Sequence, residues 1–521
     1  MDKQIKKLLE TAIELDPKLA NAHFKLGVLH QSEENFDSAI SCFEQAVTLD
    51  STYPEAECEL AIELRRSGKL EEAREHFLNA LELDPNSVKT YFNYALLLIE
   101  LDDIEEAKNN FDKVAEIDQN FAPAYFQKAK LLTNPDDFEQ AKKNYETAID
   151  IDEDYLEAHY FLAKLLMGGK ATNTDGSSAN KKDLKGAKFH FSRVLLLDES
   201  CSKALYNLGR IHFEETDYRK TKSYLTKALK LQPNYSKAHY LYGKALDLGG
   251  EHQKAVHHYK KSIDCFSDNP KALFHLGKLQ FLNKSLKDAE ENLRLSIQLD
   301  PTNPKSHYYL AKILSHDDDP SLAKKHFYKA LELDPDFANA YFDLAFHSEK
   351  SGDLNEAKIQ FQKATDVDQN FAEAYFNLAR LSSSPAEYEL AERNFETALE
   401  IKVDYDECHY FFGKLLAKGE RMSKDGTLII EPQLERANEQ FKAAIRINPD
   451  NFKSHFQLGL LLFKQKEFEA AFASLQQAIQ INPEFAEGHY QLAVLLMDER
   501  AQKALSKKKK TARSHKTAKT S

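Results

Sequence analysis

The 521-residue sequence predicts an all-α solenoid of about 14 stacked helix-turn-helix units. Three observations predict it. A short apolar-Asx phrase returns at a fixed spacing, a small residue recurs at one phase of that spacing, and a large side chain recurs at another. The phrase is LDP at Leu15, LDS at Leu49, LDP at Leu83, IDQ at Ile117 and IDE at Ile151. It returns as LDE at Leu197, LQP at Leu231, LDP at Leu299 and Leu333, VDQ at Val367, and INP at Ile447 and Ile481. The period is 34 residues, except for two steps of 46, from 151 to 197 and from 401 to 447. Each long step is one period plus a 12-residue insertion.

Each unit divides into two helices. With Ala20 as position 1, position 8 is always small, from Gly27, Ala61 and Ala95 through Gly243 and Gly413 to Gly459 and Ala493. Position 20 is Ala from Ala39 to Ala471, with one departure at Thr221. Position 24 is aromatic or Leu, as at Phe43, Phe77, Phe111, Tyr145, Phe191, Leu225, Tyr259 and Phe327. Two helices approach closely only where a side chain is nearly absent, and the large residue one turn later fills the space beside it. Pro or Asx after the second helix ends it and starts the next. The N-terminus supplies a second helix only, with Ile5, Leu9 and Ala12 in phase, and the C-terminus ends near a first helix at Leu492, Ala493 and Leu496. Terminal half-units of this kind cap a stacked core.

The 34-residue period with these small and large positions resembles the tetratricopeptide repeat family over residues 1 to about 497. The chain departs from the family in having no Trp, and position 4 is mostly His, Tyr or Leu. The resemblance implies a right-handed superhelix whose first helices line a concave groove. It also implies a non-enzymatic scaffold that binds other proteins or peptides.

A larger period lies over the first. Adding 250 to a residue number lands on its counterpart: IDQNFAPAYFQKA (117–129) matches VDQNFAEAYFNLA (367–379), and Pro54 aligns with Pro304. The insertions, 168–186 and 418–436, fall at equivalent places. We therefore divide the chain into an N-terminal capping helix (1–19), a first block of seven units (20–269), a duplicated block (270–500) and a basic tail (501–521). The first insertion is rich in Gly, Ser, Asn and Lys and reads as a mobile loop. The second carries an apolar patch, Leu428, Ile429 and Ile430, suited to docking or self-association.

Composition narrows the functional classes. The chain has a net charge of −13, and the tail alone holds eight Lys/Arg and no Asp/Glu, which leaves about −21 on residues 1–500. Such a body repels phosphate backbones. The five cysteines are scattered without a CxxC pair, as in a reducing compartment. The opening residues, MDKQIKKLLETAIELDPKL, do not read as a signal peptide, and no apolar run is long enough to span a membrane. These features place the chain in the cytoplasm, or in the nucleus if the tail is an import signal. There is no GxSxG, GxxxxGK[ST] or strand-linked GxGxxG, and no cofactor or metal site is read. His23, His159, His239, His307, His409, His455 and His489 all occupy position 4. One repeat apart, they cannot share a coordination sphere and read as packing residues. The run Asp317–Asp319 reads as a solvated turn.

Given that resemblance, positions 5 and 9 face the groove, and their four-residue spacing puts them on one side of the helix. Position 5 is aromatic in nearly every unit and position 9 is basic through the middle of the chain. The pairs are Tyr160 and Lys164, Tyr206 and Arg210, Tyr240 and Lys244, Phe274 and Lys278, Tyr308 and Lys312, Phe376 and Arg380, and Tyr410 and Lys414. Cys58 interrupts the aromatic series. Rings flanked by cations suit an extended or helical acidic peptide. A carboxylate clamp of the kind some family members use, with Lys at position 5, is not present. The alternative is a nucleic-acid-associated helical repeat that uses the basic stripe together with Lys507, Lys508, Lys509, Lys510 and Arg513 of the tail, a segment expected to be disordered. The sequence leaves the oligomeric state open.

Overall fold

The computed structural model describes residues 2–172, 178–315, 320–382, 384–423 and 425–506. They fold as two compact units that divide between Phe266 and Ser267. Each is a stack of antiparallel helix pairs, and the described chain is all-α apart from two short hairpins. Second helices share one length, 14 residues in Phe36–Leu49, Leu70–Leu83 and Leu434–Ile447. Most first helices are one residue shorter, as in Pro54–Arg66 and Phe452–Lys464.

The recurring phrase has a local cause. Where Asp follows a second helix, its carboxylate accepts a hydrogen bond from the N–H two residues on, at 3.0 Å for Asp50 and Thr52, 2.8 Å for Asp198 and Ser200, and 2.9 Å for Asp368 and Asn370. This Asx turn breaks the helix and aims the chain into the next one. Hydrogen bonds from side chain and backbone of the residue two on hold the Asp50 and Asp198 carboxyls below the usual range.

Packing within a pair follows the small and large positions. Phe43, Phe77, Phe111, Phe191, Phe327, Phe361, Phe395 and Phe441, all at position 24, are fully buried. They lie against the position-8 residue of their own pair. A Cβ added at Gly27 would sit 2.6 Å from Phe43 Cε1, and one at Gly413 would sit 2.7 Å from Phe441 Cε1. Five pairs are also bolted by a polar contact between positions 4 and 23. His159 and His190 meet Nδ1 to Nδ1 at 2.8 Å, His239 and His258 at 3.0 Å, and His307 and His326 at 3.0 Å. Glu57 with His76 and His409 with Gln440 occupy the same two positions. The position-4 imidazole donates its Nε2–H to the carbonyl of the residue six positions earlier, at 3.0 Å to Glu153 and 2.9 Å to Pro233.

The insertions are ordered further than their composition suggests. The first was expected to be a mobile loop. Instead strand Lys170–Thr172 pairs antiparallel with Ser178–Asn180, and the turn between them, 173–177, lies outside the described residues. Both ends are stitched to the preceding helix, with Lys181 N–H donating to Gly169 O (2.7 Å) and Asp183 N–H to Leu166 O (3.0 Å). Gly169 has φ +62°, and a Cβ there would lie 2.5 Å from Lys182 Cα, so only glycine fits. The second insertion repeats the arrangement at the equivalent place in the duplicated block, with strands Glu420–Met422 and Leu428–Ile430 leaving the helix through Gly419.

The described structure also extends past 501. Residues 499–506 are helical, Ala501 is fully buried, and Leu505 packs on the last core cluster. Asp498 starts this helix by accepting from the N–H groups of Arg500 (2.8 Å) and Ala501 (3.1 Å). The apolar residues of AQKALS are too few to betray a helix, yet Ala501 and Leu505 find a core already built. The tail cations Lys507, Lys508, Lys509, Lys510 and Arg513 lie outside the described residues, as do Asp317–Asp319.

Candidate partner-binding face

In each unit the first helices of successive pairs pack on one another along one side. In the first unit Pro54–Arg66 meets Val88–Glu100, and Ser202–Glu214 meets Ser236–Leu248. In the second, Pro270–Leu282 meets Pro304–Leu314, and Asp406–Lys418 meets Phe452–Lys464. Positions 5 and 9 lie on these first helices.

The position-5 rings are wedged rather than displayed. Phe274, Tyr308 and Phe376 are buried, and Tyr160, Tyr206, Tyr240 and Tyr410 are half-buried. The cause is a second aromatic at the entry to the next first helix, which the sequence reading missed. Tyr206 packs on Tyr235 (5.1 Å between centroids), Tyr308 on Phe337 (4.7 Å) and Phe376 on Tyr405 (5.0 Å). A ring standing immediately before a first helix, as Tyr235, Phe337 and Tyr405 do, is the signal that would have found it. Tyr160 lies edge-on to Phe191 at 5.8 Å and Tyr410 lies 6.4 Å from Phe441, both rings at position 24, while Tyr240 meets Tyr259 at 6.1 Å and Phe274 meets Tyr309 at 6.0 Å. Burial raises the Tyr160, Tyr206, Tyr240 and Tyr410 phenols above their ordinary range, so they stay neutral.

The cations at position 9 differ in whether a carboxylate holds them, and Lys312, held by Asp343, also lies 5.3 Å from the Tyr308 ring. Arg210 reaches Glu214 at 3.9 Å, Lys312 pairs with Asp343 at 2.8 Å, and Arg380 pairs with Glu349 at 2.8 Å. Tyr308 donates its hydroxyl to the same Asp343 carboxylate at 2.6 Å. Lys164 instead sits over Phe161 (5.4 Å) and Tyr160 (5.9 Å), and Lys414 over Tyr410 (5.6 Å) and Phe411 (5.7 Å). Lys130 lies 5.5 Å from the Phe126 ring and Lys244 lies 5.1 Å from Phe213. Among the described residues these four lysines have no acidic partner within ion-pair distance. Phe161 and Phe411, at position 6 of equivalent units in the two blocks, are ring supports that the sequence reading missed. Lys278 lies one turn beyond Phe274 on the same side and is half-buried.

The face changes sign near the N-terminus. Where Cys58 interrupts the aromatics, Glu57, Glu59 and Glu63 are buried on one helix. Gln31 Nε2 donates to Glu63 (2.7 Å) and Glu59 (3.2 Å), Lys89 pairs with Glu59, and Arg66 lies 3.2 Å from Glu63. These carboxylates are answered from within the protein. Among the described residues no group of three or more His, Cys, Asp and Glu is arranged to hold a metal ion.

Family models for the tetratricopeptide repeat match residues 20–53, 64–131, 122–155, 206–270 and 314–381, and a TPR repeat model matches 461–498. The chain belongs to the tetratricopeptide repeat family. This is a family of protein-interaction scaffolds, generally without enzymatic activity. No curated protein matches the chain. Solved structures similar to this repeat protein include one described as the APC/C hetero-tetramer Cut9-Hcn1, 16% identical, covering 94% of this chain and 98% of that one with a TM-score of 0.38. Yeast Tom70 is 15% identical over 94% and 97% of the two chains, with a TM-score of 0.32. YrrB, described as a TPR protein with an unusual peptide-binding site, is 17% identical over 35% and 95%, with a TM-score of 0.33. Among the described residues no helix is long and apolar enough to cross a membrane.

Proposed function

We propose that the chain is a non-enzymatic scaffold whose inner faces hold extended acidic segments of partner proteins. One observation carries this reading: Lys164, Lys244 and Lys414 are held over aromatic rings instead of by carboxylates, and Lys130 lies over Phe126 while donating to the Gln127 amide oxygen. A ring face orients an ammonium while leaving its N–H donors outward, whereas an ion pair uses them. In a strongly acidic chain, cations kept in this way supply charge complementarity and steering for an anionic ligand. The rings supply little direct contact, because most are wedged into the fold. They stiffen the face and set the height of the lysines. Binding is then spread over many modest contacts, one per pair.

The test is binding of a labelled polyglutamate peptide, followed by fluorescence anisotropy across a salt series. The reading expects saturable binding that weakens steeply as salt rises, because exposed charges are screened within about a Debye length. Binding that ignores salt, or no binding, overturns it.

A further inference from the structure

The two insertions share a fold and differ in one respect. The first hairpin pairs Lys170 with Asn180, Ala171 with Ala179 and Thr172 with Ser178. The second pairs Glu420 with Ile430, Arg421 with Ile429 and Met422 with Leu428. At the same place in the same architecture, large apolar residues replace small and polar ones. They are not used to bury the hairpin: Met422 is 43% exposed, Leu428 50% and Ile430 61%.

Strand Glu420–Met422 packs on the preceding pair, against the turn Pro385–Glu387 and the helix Tyr388–Ile401. Strand Leu428–Ile430 is therefore the outer one. Its backbone can be read from the register. Ser423 N–H donates to Thr427 O (2.9 Å) and Glu431 N–H to Gly419 O (2.9 Å). Antiparallel pairs alternate, so Arg421 and Ile429 form the hydrogen-bonded pair between these two. The N–H and C=O groups of Leu428 and Ile430 then point away from the hairpin. The residues with outward backbone groups are the same two whose apolar side chains are most exposed. Sheet edges with both properties are templates for strand addition, and proteins ordinarily blunt them with charge or proline.

We propose that this edge joins a second copy of the chain, by antiparallel pairing of Leu428–Ile430 about a two-fold axis through Ile429. The edge is self-complementary. A two-fold at Ile429 sets Leu428 of one copy opposite Ile430 of the other, so all four outward backbone groups on each side are satisfied. The same register puts Thr427 opposite Glu431 and sets no like charges face to face, which would oppose pairing. It also merges the exposed Met422, Leu428 and Ile430 side chains of both copies into one apolar strip across four strands. A two-fold contact of this kind closes on itself and stops at the dimer. Pro432 ends the strand just past the paired residues.

The test is the mass of the full chain by light scattering and sedimentation across a concentration series. A mass rising from 59.6 kDa toward twice that value is expected. The Leu428→Lys, Ile430→Lys double variant, with helical content unchanged by circular dichroism, is expected to weaken self-association by roughly tenfold or more. Ile429→Cys supplies an independent readout. The two-fold places the two residues 429 in a non-hydrogen-bonded pair about 4.5 Å apart at Cα, within disulfide reach. Mild oxidation then gives a reducible dimer beyond any formed by the five native cysteines of the parent. A mass that stays at one chain overturns the proposal, as does a double variant that associates like the parent. A monomer whose edge binds an extended apolar peptide overturns it too, and assigns the edge to a partner strand.

Discussion

Mild acid should weaken this fold, and three imidazole pairs should carry much of the effect. His190, His258 and His326 are each pushed down to about 4, by burial and by the facing imidazole. The facing rings, His159, His239 and His307, already use Nε2–H on a backbone carbonyl and so offer Nδ1 as an acceptor. Protonating His190, His258 or His326 at its remaining ring nitrogen would place a charge in a half-buried site beside a second imidazole. The folded pKa lies below the unfolded value near 6.5, so the unfolded chain gains protons first. The stabilisation is therefore complete above about pH 6.5 and is lost as pH falls from there toward 4. For one ring with this shift, the loss by pH 5 is about 2 kcal/mol before screening. These rings are only about half buried, so about 1 kcal/mol each is the better figure. Two pairs lie in residues 1–266 and one beyond, giving losses of roughly 2 and 1 kcal/mol for the two units. Acids such as Glu251, held at about 2 by Lys222 and Lys254, titrate well below this window. The assay is urea unfolding at pH 7 and pH 5 for the parent and for His190→Gln, His258→Gln, His326→Gln. Gln440 already makes this contact to His409 at 2.6 Å, so the fold tolerates the replacement. The variant should lose much less stability on acidification. If it loses as much as the parent, the imidazole pairs are not the cause.

Other perturbations probe the packing. Gly27→Val drives a side chain into Phe43 and should cost about 1–3 kcal/mol, read as faster amide exchange across 20–49. Phe376→Ala removes a buried ring that touches Tyr405, Phe411 and Phe395 and should cost about 3–5 kcal/mol, with local unfolding seen by limited proteolysis. Asp498→Ala removes the cap of the last helix, about 1 kcal/mol, and should expose 499–506 to protease while the earlier repeats hold.

The helical array was legible because its physics is local and repeated. A small residue at Gly27 or Gly413 and a ring at Phe43 or Phe441 report the same close approach at every period. That positions 5 and 9 share the first helices was legible for the same reason. What each residue does there was not. Whether Tyr308 stands out or lies wedged depends on Phe337, at the entry to the next first helix, and Lys312 is spent on Asp343 of the next pair. Such contacts cross a repeat boundary: the wedging ring keeps a fixed phase just before the first helix, but the acidic partner of a position-9 cation does not. The hairpins were missed because three-residue strands carry too short an alternation to read. Their ends are set by Gly169 and Gly419, whose positive φ shows only in three dimensions.

Cations over rings and cations in ion pairs should differ in what they offer an acidic ligand, and one comparison tests that difference. Lys164→Glu, Lys244→Glu, Lys414→Glu is set against Arg210→Glu, Lys312→Glu, Arg380→Glu, two variants with the same change in net charge. Polyglutamate affinity is measured for both at low salt. The expected result is a loss of roughly tenfold or more for the first set and a clearly smaller loss for the second. Equal losses would mean that only overall charge matters, and no loss in the first set would contradict the binding face itself.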